Sequence, residues 1–192
     1  MICGRTPEEL IRDIENFHGF VAPGLLIGAY MVDLAYQRLE KDIEADAIVE
    51  TRHCQQYAVQ IFTRCTIGNG WLKILDFDKF ALTLYNRHTL MGSRIWVDLK
   101  KTEAFPYIYK WFMGLISKRE LPKDILVRDI IKAGHDILSC SSVQVTQHTN
   151  REKKGPILVC TQCLEAYSIA QGTPCLACQG KGYYECRSTS GN

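Results

Sequence analysis

The pattern of apolar residues predicts two helices in the N-terminal part of the chain. Apolar side chains recur at helical spacing over residues 10–17. They follow a helix start at Thr6-Pro7-Glu8-Glu9, which combines a capping box with a proline at the first helical position. Residues 25–39 are apolar on nearly every side, a pattern typical of a helix buried at the centre of a domain.

A second pattern, typical of strands, occupies the middle of the chain. Between Trp71 and Leu99 apolar and polar residues alternate, with breaks at 76–79 and 87–93, which predicts three antiparallel strands in a meander. Further strands are predicted at 47–51 and 141–147, and helices at 55–64, at 102–117 and from Pro122 onward. We therefore predict an α+β fold in which an antiparallel β-meander packs with helices.

The chain divides at 149–156, a charged segment rich in residues that interrupt helices and strands. We predict a core domain over residues 1–150 and a small C-terminal domain over residues 151–192. The 192 residues, of which 46% are hydrophobic, are enough to form a substantial core.

Charge and cysteine content narrow the classes of function. The formal net charge is only +2, from 23 basic and 21 acidic side chains, so a nucleic-acid partner is not expected. The longest uncharged stretch, 17–32, is too short for a membrane span, and we expect no signal peptide because the start of the sequence has no long apolar region. We expect a soluble, cytoplasmic protein. Its nine cysteines, an odd number, favour reduced thiols over disulfides.

Four of the cysteines form two Cys-x-x-Cys pairs in the C-terminal domain, at Cys160 and Cys163 and at Cys175 and Cys178. Four thiolates complete a tetrahedral shell, so this spacing predicts one structural zinc ion per chain. The ion is needed because so small a segment buries little, whereas structural zinc contributes roughly 10–16 kcal/mol. The alternatives are two redox-active dithiols, or iron on the same ligands.

Three residues of the core domain are candidates for a second site. His18 ends the first helix, Cys54 precedes a predicted helix, and Cys65 lies near the other end of that helix. At a helix start, free amide groups favour a thiolate, which suits a metal ligand or a nucleophile. The alternative is that all three are structural, because free cysteine is often buried and inert.

Other residues in this region are interpreted as structural. If the segment before the helix is extended, His53 points away from Cys54. Asp78 lies in a predicted hairpin turn, where aspartate is common. Gly24 and Gly28 are interpreted as positions of close helix packing rather than phosphate binding, since no phosphate-loop pattern surrounds them.

Beyond these single residues, the sequence resembles the FmdE family of formylmethanofuran dehydrogenase proteins over roughly residues 7–90 and 155–186. The motifs that carry the resemblance, besides the four cysteines, are Phe17-His18-Gly19, Pro23-Gly24, Cys54, Gln60, Thr63, Cys65-Thr66, Gly68, Gly70 and the run from Lys79 to Arg87. The resemblance implies an α+β core, a separate zinc finger of treble-clef or ribbon type, and a homodimer. It also implies a metal-binding groove in the core, onto which His18, Cys54 and Cys65 map.

The family commonly has histidine and cysteine two and four positions after the first histidine, where this chain has Phe20 and Ala22. Two hypotheses follow. In the first, Cys54 and His18 hold a second, transition metal ion, or Cys54 acts as a thiolate, on a small-molecule substrate or within a larger dehydrogenase complex. In the second, the core is a dimeric scaffold and the finger, beside Arg151, Lys153 and Lys154, binds protein or nucleic acid. The residues do not decide whether the protein is an enzyme.

Overall fold

The structure, a computed structural model, describes residues 1–117, 119–147 and 155–183. It divides into two compact units, Met1–Asn150 and Arg151–Asn192, which are described separately. The two units have different architectures. The first is a mixed helix and sheet domain, and the second is a small hairpin with a cysteine cluster.

The described part of the core unit contains six α-helices. The first begins at Thr6, whose hydroxyl accepts a hydrogen bond from the Glu9 amide while Glu9 accepts one from the Thr6 amide, as the capping-box pattern predicts. It ends at Gly19, whose φ of 84° lies in the left-handed region that glycine tolerates. In chain order the helices are α1 Pro7–His18, α2 Pro23–Gln37, α3 Gln55–Phe62, α4 Leu99–Thr102, α5 Pro106–Phe112 and α6 Lys123–Ala133.

A five-stranded sheet forms the other layer of this unit. Its strands are β1 Ala45–Val49, β2 Leu72–Ile74, β3 Ala81–Asn86, β4 Met91–Val97 and β5 Leu138–Gln144. Their spatial order is β2-β1-β3-β4-β5, and all neighbours are antiparallel except β1 and β2. The α+β class and the dominance of antiparallel pairing are therefore confirmed.

The predicted meander was wrong in one respect, because β1 lies between β2 and β3. The loop from β2 to β3 wraps the end of β1: the Leu75 amide donates to the Val49 carbonyl, and the Phe77 and Lys79 amides donate to the Glu50 carbonyl. These hydrogen bonds give partners to the Val49 and Glu50 carbonyls at the end of β1. The last two strands of the predicted meander, β3 and β4, do form an antiparallel hairpin.

Where the sequence predicted one helix at 102–117, the structure has two shorter helices, α4 and α5. The break falls at Phe105, which has φ −126° and ψ 80° and precedes Pro106. The ring of a proline disfavours helical backbone in the residue before it, so the chain leaves the helix and begins again at Pro106.

Helix α2 is the centre of the core, as its uniformly apolar sequence predicts. Ten of its fifteen residues are buried, and it packs against α3, α6 and the sheet. A Cβ at Gly28 would lie 2.7 Å from the Cβ of Ala58 in α3, so the two helix backbones approach closely at this glycine. The interpretation of Gly28 as a packing residue agrees with this contact.

The second unit contains a two-stranded antiparallel sheet, β6 Ile157–Val159 and β7 Ala166–Ser168. The turn between them holds the first cysteine pair, and the Cys160 amide closes it by donating to the Glu165 carbonyl. The second pair lies in and just before a helical turn, Ala177–Lys181. In the described residues, no helix is both long enough and apolar enough to cross a membrane.

Candidate functional site

The four cysteines of the second unit converge on one point. The sulfur atoms of Cys160, Cys163, Cys175 and Cys178 all lie within 4.8 Å of one another, and those of Cys163 and Cys175 are 3.8 Å apart. A tetrahedral ion with Zn–S bonds of about 2.3 Å places its sulfur ligands about 3.8 Å from each other. The cluster therefore has the dimensions of a closed, structural zinc site.

Backbone amides around Cys160 prepare this thiol for a cation. The amides of Cys163, Cys175 and Gln162 hydrogen-bond to the Cys160 sulfur and lower the pKa of this thiol to about 6. A thiolate is the form that binds zinc, so the turn stabilises the charge state the ion needs. The donor set, four thiols without an open position, fits zinc in a structural rather than a catalytic role.

The second region of interest is a cavity of about 640 Å³ in the core unit, in which Cys54 is the sole cysteine among the residues that line it. It lies between the starts of α2 and α3 and the connection from α5 to α6. Gly24 leaves room for it, since a Cβ there would meet Phe80 at 3.4 Å and the Cβ of Cys54 at 3.7 Å. The other lining residues are Phe20, Ala22, Pro23, Thr51, His53, Asp78, Trp111, Phe112, Ser117, Leu121, Lys123 and Leu126.

The cavity wall is mostly apolar, and four aromatic side chains contribute to it, Phe20, Phe80, Trp111 and Phe112. The rings of Phe80 and Phe112 meet edge to face with centroids 5.9 Å apart, and Trp111 lies against Phe112. At the rim, His53 and Asp78 approach to 3.9 Å between Nε2 and Oδ1, and both side chains are largely exposed. A concave, apolar site with a few convergent polar groups is typical of small-molecule binding.

His18 lies beside this cavity without lining it. Its ring packs edge to face on Phe20 at 4.5 Å and against Tyr57 at 5.5 Å. Its Nδ1 atom is buried and has no hydrogen-bond partner. A buried polar atom without a partner is costly, so this nitrogen is a position where a further hydrogen bond or ligand bond would be favourable.

Cys65 lies at a different place in the core unit. It is buried beside a second cavity, of about 660 Å³, that is lined by charged side chains and Trp71. Its thiol donates to the Ala45 carbonyl at 3.2 Å, and burial raises its pKa to about 11. These surroundings suit a structural thiol, because a reactive cysteine needs an accessible thiolate.

The three core candidates are thus not brought to one point. Among the described residues, the four-thiol cluster is the single group of three or more histidine, cysteine and carboxylate side chains close enough to share an ion. Cys65 and Cys54 line separate cavities, so the described residues do not bring His18, Cys54 and Cys65 together as the three ligands of one core ion. A metal at Cys54 would have at most two of these side chains as ligands.

Several lining residues were not predicted from the sequence. His53 shares the cavity with Cys54 because the backbone at Cys54 is helical, with φ −57° and ψ −15°, and not extended. Asp78, Trp111 and Lys123 carry no local signal of function and are brought to the cavity by the fold alone. Phe20 and Ala22, the two departures from the family pattern, both line it.

Comparison with known proteins agrees with this architecture. Residues 17–147 match the family described as FmdE, molybdenum formylmethanofuran dehydrogenase operon. The chain belongs to the FmdE family. Residues 151–185 match the FmdE treble-clef zinc finger, so the treble-clef form of the predicted finger is confirmed along with the family resemblance.

Two individual proteins illustrate the FmdE relationship. The crystal structure of a tungsten formylmethanofuran dehydrogenase FmdE-like protein from Syntrophus aciditrophicus aligns with a TM-score of 0.87 and 41% identity. The alignment covers 96% of this chain and 98% of that one. A probable S-adenosyl-L-methionine-binding protein from Archaeoglobus fulgidus is 34% identical over an alignment of 117 residues, and the match covers 57% of this chain and 31% of the relative. The chain therefore spans about a third of that curated relative.

Proposed function

We propose that this FmdE-family protein carries a small-molecule site at the Cys54 cavity, alongside its structural zinc finger. The observation that supports the proposal is the cavity itself, because a thiol at the start of α3 faces an apolar space of about 640 Å³. A core that served only as a scaffold would be expected to fill such a space with side chains.

The family points to the chemical class. Formylmethanofuran dehydrogenases act in one-carbon chemistry, so the proposed substrate contains a small carbonyl or formyl group. Cys54 is the proposed reactive residue: its thiolate would add to the carbonyl carbon while the carbonyl oxygen takes up a proton. A transition metal held by Cys54 with His18 is the alternative role for the same thiol. We further propose that the protein works in the cytoplasm, as a homodimer or within a larger dehydrogenase complex.

A second candidate function is favoured by the surface of the finger. All three residues of β6 are exposed, Ile157 and Val159 at 59% and 63%, and Leu164 is exposed at 76%. Exposed apolar groups at this density are typical of an interaction surface. In this alternative the finger binds another protein and the core has no catalytic role. The basic residues Arg151, Lys153 and Lys154 lie outside the described residues.

The name of the S-adenosylmethionine-binding relative does not decide between these functions. The matched segment is 31% of that protein, so the rest of its chain could carry the binding that its name describes. S-Adenosylmethionine is therefore a ligand to test and does not enter the proposal.

The first experiment is elemental analysis of the purified protein as metal per chain. It compares the parent with Cys54→Ser and Cys160→Ser, and with Cys140→Ser as a control thiol in β5 that belongs to neither site. Two ions per chain, one of them lost in Cys54→Ser alone, would support the metal role of Cys54. One zinc, lost in Cys160→Ser alone, would exclude that role and leave the thiolate.

The thiolate role has its own test. Formaldehyde and small aldehydes should add reversibly to the Cys54 thiol of the folded protein as hemithioacetals and should not add in Cys54→Ser, as measured by mass spectrometry of the intact protein under non-denaturing conditions. If the wild type and Cys54→Ser show equal adduct levels at every position, the cavity thiol is not reactive and the interaction function is favoured.

A further inference from the structure

Lys123 is a cation of the Cys54 cavity without an acidic partner. Its Nζ lies 4.3 Å from the centroid of the Phe20 ring, at the edge of the cavity. In the described part of the chain, no carboxylate oxygen lies within 4.0 Å of this ammonium group. The neighbouring acid, Asp124, faces Arg128 instead.

The position of Lys123 runs against its local structural preference. It is the first residue of α6, a helix of eleven residues, and Pro122 before it provides no side-chain cap. The N-terminal end of a helix carries partial positive charge, which disfavours a lysine there and favours an anion. Residues that break a local rule often do so at functional sites.

The other acid and base of the cavity lie next to each other. Asp78 Oδ1 is 3.9 Å from Nε2 of His53, the residue before Cys54, and no contact of Asp78 with Lys123 is found within 4.0 Å. The residues that line the cavity therefore offer a ligand one thiol, several aromatic rings and a cation that no carboxylate approaches within 4.0 Å.

We propose that the Cys54 cavity binds a flat aromatic or heteroaromatic molecule with one anionic group, a carboxylate or a phosphate, held at Lys123. The aromatic wall formed by Phe80, Trp111 and Phe112 takes the ring, because offset and edge-to-face contacts favour flat π systems. The inference rests on the proposed function, in that this cavity is taken as the functional site, and it adds the class of substrate.

Two other regions of the protein give weaker support for a binding site. The second cavity has charges of both signs, and one of its cations, Arg87, is hydrogen-bonded to Asp46 at 2.7 Å and stacked on Trp71. The finger has exposed apolar residues, but nothing among the described residues indicates which partner would bind to them.

The test compares three probes of one shape and different charge: 2-naphthoate, 2-naphthylmethanol and 2-naphthylmethylammonium. Binding is measured by calorimetry at low ionic strength, because an exposed charge contact is screened by salt. The expected order of affinity is carboxylate, alcohol, ammonium. Lys123→Gln should weaken naphthoate about fivefold, the effect of a partly exposed charge pair, and leave the alcohol unchanged. Lys132→Gln, an exposed lysine at the other end of α6, is the matched control and should change nothing.

Location is tested by protection of the Cys54 thiol from iodoacetamide, followed by mass spectrometry. Naphthoate should slow Cys54 alkylation in the parent, and less so in Lys123→Gln at the same concentration. Naphthyl phosphate tests which anionic group the cavity prefers. Tighter binding than naphthoate would indicate a phosphate, and weaker binding would indicate a carboxylate.

Each contrary result has a separate meaning. Equal affinity for the three charges, with Cys54 protected, would overturn the anionic class while leaving the cavity as a binding site. Binding without protection of Cys54 would overturn the location. If none of the probes binds at millimolar concentration, the inference is wrong. The proposed function would still be judged by the metal analysis and the aldehyde adducts, which do not use these probes.

Discussion

The two units of this protein reach a defined structure by different physical means. In the core unit, α2 buries apolar side chains against helices and a sheet, so burial of apolar surface provides the stability. In the finger, all three residues of β6 remain exposed, and Cys160 and Cys175 are the buried cysteines of the cluster. Burial alone cannot stabilise such a unit, and the ion must supply the difference. The comparison shows that one chain can combine a unit folded by its core with a unit folded by its ligand.

The sharpest way to break this comparison is to remove one zinc ligand. Cys160→Ser should release the zinc and unfold the finger, with a loss of roughly 10 kcal/mol or more of binding free energy, while the core stays folded. Hydrogen exchange measured by mass spectrometry should show full exchange in 155–183 and unchanged protection in α2. Cys140→Ser is the matched control and should alter neither unit. Simultaneous unfolding of both units would contradict the division into independently stabilised parts.

The two cysteines at the ends of α3, Cys54 and Cys65, also differ in their surroundings. Cys54 faces a cavity, whereas burial raises the pKa of Cys65 to about 11. At pH 8, about one Cys65 thiol in a thousand is then ionised, and only the thiolate is alkylated. We expect iodoacetamide to modify Cys54 far faster than Cys65 in the folded protein.

The alkylation rate of Cys65 should also increase with pH. Because the pKa of Cys65 is raised, its alkylation rate should increase about tenfold per pH unit from pH 8 and level off only near pH 11. Trypsin separates the two cysteines at Arg64, so mass spectrometry can follow each one. In urea the two rates should become equal. Comparable rates in the folded protein would mean that Cys65 is accessible and would restore it as a candidate for the core site.

The two regions also differ in how far the sequence predicts them. The four zinc ligands belong to two short motifs, and each motif folds into a local turn, so their spacing alone indicates the cluster. The Cys54 cavity is built by side chains from distant segments, such as Phe20, Asp78 and Lys123, none of which carries a motif. Sequence spacing reports local geometry well and distant convergence poorly.

The same distinction explains the errors in the core. Cys54 and Cys65 lie eleven positions apart, near the two ends of α3, so they line different cavities although the pattern grouped them. His53 was predicted to point away from Cys54 only if the segment was extended, and the backbone at Cys54 is helical, so both residues line the cavity. The insertion of β1 between β2 and β3 depends on pairing between segments more than twenty residues apart, which alternation within each strand cannot specify.

The smallest predicted effect tests the packing that makes the core independent of metal. Gly28→Ala and Gly28→Val place a Cβ within 2.7 Å of Ala58, so α2 and α3 must move apart. We expect losses of about 1 and about 2 kcal/mol in the free energy of unfolding, measured by urea titration of tryptophan fluorescence. All three tryptophans lie in the core unit, so the signal excludes the finger.

Helix propensity alone predicts the opposite sign for these Gly28 variants, because alanine and valine both favour a helix over glycine. Gly68→Ala, where an added Cβ meets only Thr66 Oγ1 at 3.8 Å, is the control and should change stability by less than about 0.5 kcal/mol. A gain in stability in both Gly28 variants would show that α2 and α3 have space for the added side chain. It would contradict the close packing inferred at this contact.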